Sequence, residues 1–114
     1  MRRGEVWTAA GGADYGGKPR PVVIVQDDRF DATASITVCP LTTNPKEAPL
    51  FRIPIDESER NGLQTGSRLM VDKLATVHKS KLGVLLGHLD DDDLVRLNRA
   101  MLVFLGLAGP SRSR

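Results

Sequence analysis

The stretch GGKPRPVVIVQ, residues 16–26, decides the fold. Pro21 to Gln26 is a run of strand length, apolar at every central position and rich in β-branched residues. Such a run is a strand covered on both faces, hence a central one. A proline donates nothing to a ladder, so Pro21 belongs at the strand's start. Pro19 and Pro21 hold Arg20 between them in extended geometry. Gly16 and Gly17 precede them in a loop that nothing local stiffens until Pro19.

Working outward, Glu5–Ala10 reads as a first strand, with Val6 and Thr8 on one face and Trp7 on the other. Asp27 to Ala34 is polar and turn-like. Ser35–Thr42 is a third strand, with Pro40 marking a bulge or an edge. Leu50–Ile55 alternates as a fourth. Asp56 to Gly62 is a charged turn with room for one helical turn. Ser67–Val77 and Lys81–Leu89 complete the strands, Gly83 and Gly87 arguing against helix in the latter. Asp90–Leu107 is a helix. Asp90 is its N-cap, and Asp91, Asp92 and Asp93 suit the positive end of its dipole. Leu94, Leu97, Met101, Phe104 and Leu105 share one face, while Leu102 and Val103 lie off it. One side can therefore pack on the sheet and another on a second subunit. The expected architecture is mainly β, a bent antiparallel sheet or barrel capped by a C-terminal helix. A single domain over residues 1–109 is expected, followed by a frayed basic tail at 110–114.

The chain has 114 residues with 16 basic and 14 acidic side chains. Setting aside the aspartates at 90–93 leaves 16 against 10, so the body is basic and suited to a phosphate-bearing or acidic partner. No apolar run reaches the length of a membrane span. Met1-Arg2-Arg3 leads at once into Gly4-Glu5, so no secretory leader is expected. A single cysteine, Cys39, allows no internal disulfide, and a cytoplasmic protein is expected.

Few residues carry chemistry. A fixed Arg20 beside a flexible loop suits bidentate recognition of a phosphate, but it is equally a solvent-facing arginine at a strand start. Thr42 and Thr43 end a strand before Asn44-Pro45, where hydroxyls can donate to a phosphate or simply form a turn; the turn is the default. Asp72-Lys73 interrupts an apolar alternation and is expected to face outward. His78 and His88 have no metal-ligand spacing, and the aspartate run is explained by its helix start, so no metal or cofactor is expected. Cys39 lies mid-strand and reads as a small buried hydrophobe. Tyr15, in the glycine loop, is the one candidate for stacking on a base.

Read together, RRGEVW (2–7), GGKPRPVVIVQ (16–26), VCPLTTN (38–44), NGL (61–63), SRLMVDKLATV (67–77) and LGHLDDDDLVRLNRAMLVFLGL (86–107) resemble, in order, the MazF/PemK family of toxin endoribonucleases. The resemblance implies an SH3-like barrel, a homodimer, and metal-independent, sequence-specific cleavage of single-stranded RNA. The ends made would be 2′,3′-cyclic phosphate and 5′-hydroxyl. It maps the family's catalytic arginine onto Arg20 and its hydroxyl partner onto Thr42. RNA contacts are expected from Tyr15, Lys18, Gln26, Thr43, Asn44, Asp72 and Lys73. The segment Ala10 to Lys18 matches the family's first loop, but without its frequent Gly-Ser-Glu-Gln. The resemblance further implies a cognate antitoxin that lays an acidic, disordered segment over the active-site grooves. The alternative from another class is a CcdB-like toxin of the same fold, which poisons DNA gyrase and cuts nothing.

Overall fold

The computed structural model describes residues 1–11, 17–45 and 47–109. Tyr15, most of the loop expected at 10–18 and the tail expected at 110–114 lie outside these residues. The strands are β1 (Glu5–Ala9), β2 (Arg20–Ile24), β3 (Ser35–Thr42), β4 (Arg52–Ile55), β5 (Ser67–Met70), β6 (Ala75–His78) and β7 (Leu82–His88). One helix, α1 (Asp91–Phe104), follows them. All the pairings are antiparallel, in the order β4-β5-β3-β2-β1-β7, with β6 also on β3. The expected helix-capped antiparallel sheet is therefore present.

β2 is central, and its two faces are buried differently. Val23 points with Val6, Cys39, Leu41, Leu69 and Leu97 into a core beneath α1. Val22 and Ile24 point the other way, into a second cluster with Ile36, Val38 and Leu82. Apolar residues at every position are what a strand covered on both sides requires.

β3 bends the sheet. One of its edges pairs with β2. Its other edge pairs with β6 at residues 35–38 and with β5 at residues 41–42. Pro40 stands where one neighbour gives way to the other, a position that needs no donor. The single strand expected over residues 67–77 is in fact two, separated by a 3₁₀ turn at Val71–Lys73. Two contacts cause the break. The Val71 N–H donates to Phe51 O at 2.9 Å, and the Asp72 carboxylate takes both arms of the Arg52 guanidinium at 2.7 and 2.9 Å. Arg52 is only 6% exposed, so its charge holds the turn inward.

The segment expected at residues 56–62 closes a single helical turn, Gly62 N–H donating to Ser58 O at 3.0 Å, and goes no further. Buried Asn61 fixes it: its Oδ1 accepts from Ser58 and Leu63 N–H groups, and its Nδ2 donates to Asp56 O. Gly62 (φ +70°) brings this turn against β7, where a Cβ would come within 2.1 Å of the Leu86 carbonyl oxygen.

α1 begins as expected, with the Asp90 carboxylate accepting from Asp93 N–H at 2.9 Å. It ends earlier than expected, in a Schellman pair from Gly106 N–H to Val103 O and from Leu107 N–H to Leu102 O. Leu97 and Ala100 are buried, but Leu102, Val103, Phe104 and Leu105 are all exposed. The last turn runs past the sheet, and Phe104 meets Phe51 at 6.0 Å between ring centroids.

Candidate functional site

Arg20 opens β2 opposite Ala9 of β1. Its presentation follows from hydrogen-bond alternation along an antiparallel pair. The Val25 N–H donates to Thr37 O at 3.1 Å, so odd-numbered residues of β2 turn their amides toward β3. Pro21 is the odd position that cannot do so. The bonded register accordingly runs Ile24↔Val38, Val23↔Cys39, Val22↔Pro40 and stops. Counting on, Arg20 falls opposite Thr42, on the sheet face away from α1. At the base of the loop, Gly11 meets the Lys18 backbone so closely that a Cβ would lie 2.0 Å from the Lys18 carbonyl oxygen. That contact carries Lys18, exposed, to the lip beside Arg20.

Thr42 in turn pairs with Arg68 of β5, and Arg68 with Pro54 of β4. One row of side chains thus crosses four strands: Arg20, Thr42, Arg68, Pro54. The Thr42 Oγ1 accepts from Asn44 N–H at 3.2 Å. This is the turn contact that its position suggests, and it leaves the hydroxyl hydrogen available to a ligand. Thr42, Thr43, Asn44, Ser67 and Arg68 line one hollow of about 260 Å³. Arg20 lines another of about 200 Å³, with Val22, Val38, Pro40 and Met70. The two candidates are strand neighbours by register and open into adjoining hollows, not a shared one.

The remaining expected residues divide. Thr43 and Asn44 are exposed beside Thr42. Lys73 is exposed on the 3₁₀ turn, while Asp72 turns inward to Arg52 and does not face outward as expected. Gln26 sits six residues along from Arg20, about 20 Å in an extended strand. Its amide holds the next loop, donating to Phe30 O and Thr33 Oγ1 and accepting from Thr37 N–H. His78 caps a 3₁₀ turn through Ser80 N–H. His88 Nδ1 contacts Leu89 O. Burial, with the nearby Asp72 charge, pushes the Cys39 thiol up to about 12, outweighing a hydrogen bond with the Met70 backbone. A thiol so protonated is no nucleophile. Arg68 escaped the sequence reading. Only the β3–β5 register brings it to Thr42, and its alternation within residues 67–70 was the one available signal.

The chain matches the model of the PemK-like, MazF-like toxins of type II toxin–antitoxin systems over residues 2–105. It is 57% identical over 109 residues, 96% of this chain and 100% of the relative, to a probable endoribonuclease MazF of Mycolicibacterium smegmatis. It is 30% identical to the endoribonuclease EndoA of Bacillus subtilis, covering 94% of this chain and 96% of that one. Among solved structures, it resembles a mycobacterial endoribonuclease in complex with its cognate antitoxin. The TM-score is 0.79 at 28% identity, over 96% of this chain and 99% of the other. With its fold, its row of basic and hydroxyl side chains and these likenesses together, the chain belongs to the PemK-like, MazF-like family of type II toxins.

Proposed function

We propose that this chain is the toxin of a toxin–antitoxin pair, an endoribonuclease that cuts single-stranded RNA at the Arg20–Thr42 step of the sheet. What carries the reading is 57% identity to a probable endoribonuclease along the relative's whole length. The 2′-hydroxyl of the substrate attacks the adjacent phosphorus and loses its proton, and the bond to the 5′-oxygen breaks as that oxygen gains one. The products are a 2′,3′-cyclic phosphate and a 5′-hydroxyl. The nucleophile belongs to the RNA, so the protein's work is electrostatic. Arg20 faces the charge that grows on the non-bridging oxygens, and the Thr42 hydroxyl donates to it. Each such donor typically contributes about 3 kcal/mol to the transition state. Arginine holds its proton too tightly to be an easy base, so Arg20 is assigned to charge stabilisation first.

An acidic segment of an antitoxin suits the basic lip formed by Lys18 and Arg20. A second copy of the chain suits the exposed apolar end of α1, Leu102 to Leu105. No helix among the described residues is long and apolar enough to cross a membrane, and the cytoplasm is the proposed location. The gyrase-poison alternative would also use the end of α1, but the family match and the relatives named endoribonuclease favour cutting.

The experiment is to incubate purified protein with total RNA in EDTA and map the ends. Discrete cuts bearing 5′-hydroxyl and cyclic phosphate are expected. Intact RNA with inhibited gyrase would favour the alternative, and cutting only with added metal would overturn the mechanism.

A further inference from the structure

Thr42 has a basic neighbour on each side, and only one of them enters the mechanism above. Arg68 pairs with Thr42 across β3 and β5, which places their Cβ atoms about 5 Å apart on one face. Its side chain is 22% exposed and lies at the edge of the hollow that Thr42, Thr43, Asn44 and Ser67 share. Beyond it stands Pro54 of β4, at one end of the sheet order, exposed and without an amide to donate. A single strand of RNA can therefore enter from that flank.

The guanidinium already holds an anion. Its Nη2 donates to Glu47 Oε1 at 3.2 Å, and the Glu47 side chain is 83% exposed. An ion pair this open contributes little and exchanges readily for another anion. A phosphate, with oxygens suited to a guanidinium, is such an anion.

We propose that Arg68 holds the phosphate of a nucleotide adjoining the scissile one, on the side of Thr42 away from Arg20, with Glu47 as its stand-in when RNA is absent. The assignment deepens the nuclease reading and rests on it. Arg68 is a positioning residue: it fixes the strand so that the scissile diester meets Arg20 and Thr42, and it does not touch the reacting atoms.

The test compares wild type, Arg68→Ala, Arg68→Lys and Arg20→Ala on one oligoribonucleotide carrying the mapped cleavage sequence. Binding is measured with the same oligonucleotide made uncleavable by a single deoxyribose at the scissile position. Arg68→Ala should raise KM about tenfold, the loss of one charge-assisted contact, with kcat reduced less than about threefold. Arg68→Lys should recover most of the KM. The slope of log affinity against log salt should become shallower by about 0.7 in Arg68→Ala. A methylphosphonate walked along the oligonucleotide should find one linkage whose neutralisation weakens wild type but leaves Arg68→Ala unaffected. An unchanged KM and salt slope in Arg68→Ala, with Arg20→Ala inactive, would overturn this assignment alone. Arg20→Ala cutting like wild type would instead overturn the reading beneath it. Should Arg68→Ala melt below the assay temperature, Arg68→Gln takes its place under the same criteria.

Discussion

Arg20 is held by a backbone with little freedom to move it. Prolines fix the peptide on both sides, and the residues that follow are packed on two faces. Replacing its side chain removes charge without opening a core. Arg20→Ala should lower kcat by at least about a hundredfold and shift the melting temperature by no more than a few degrees. An unfolded variant would mark Arg20 as structural. Thr42→Ser, which keeps the hydroxyl, should retain most of the activity that Thr42→Ala loses. Glu5 offers a separate test, of stability. Burial opposes its ionisation, but the Arg2 N–H and Trp7 Nε1–H both donate to it, and the net effect holds its carboxyl below the usual value of 4.5. A carboxyl lowered by folding stabilises above that value and loses its contribution as pH falls through the folded pKa. Glu5→Gln should therefore cost about 1 kcal/mol at neutral pH. Thermal melts of the two proteins should converge as pH falls well below 4.5; a gap that persisted through the acid range would assign the effect to packing.

The turn at Val71–Lys73 is the element on which the sheet's curvature depends. It divides β5 from β6 and sends them to different parts of β3. Asp72→Ala removes two hydrogen bonds from a guanidinium that is 6% exposed, and the expected cost is about 3 kcal/mol. Urea unfolding measures it, and a loss below 1 kcal/mol would mean that the turn is held by the Val71–Phe51 bond alone. The same turn marks where sequence reading stopped. β2 and β3 were legible because their patterns are local: a β-branched run after a proline, and an alternation that ends at Thr42. Asp72 looked outward-facing because its partner, Arg52, is twenty residues away and in another strand. Arg68 was missed for the same reason, since nothing within SRLMVDK says which strand lies beside it. The helix start was written in Asp90 to Asp93. Its apolar stripe was legible too, but the stripe does not tell how far the sheet beneath it extends. Phe104 and Leu105 therefore share the stripe of buried Leu97 and yet prove exposed.

At the scale of the whole molecule, two apolar clusters on opposite faces of one curved sheet leave the strand ends over Arg20 and Thr42 as its polar region. A run of exposed apolar side chains lies elsewhere, at the end of α1 from Leu102 to Leu105. A partner subunit can cover that run while the basic lip stays open to RNA or to an acidic antitoxin. Light scattering after gel filtration should give twice the chain mass at micromolar concentration. Val103→Asp together with Leu105→Asp should give the monomer, and a wild-type monomer at every concentration would refute the assembly. Cleavage as proposed depends on a hydroxyl supplied by the substrate and on Arg20 meeting the charge that its attack creates. The most direct measurement is single-turnover cleavage of an oligoribonucleotide in which only the scissile ribose is replaced by deoxyribose. Binding within about twofold of the all-ribose strand with no detectable cutting is predicted; cutting at that deoxyribose would contradict the mechanism outright.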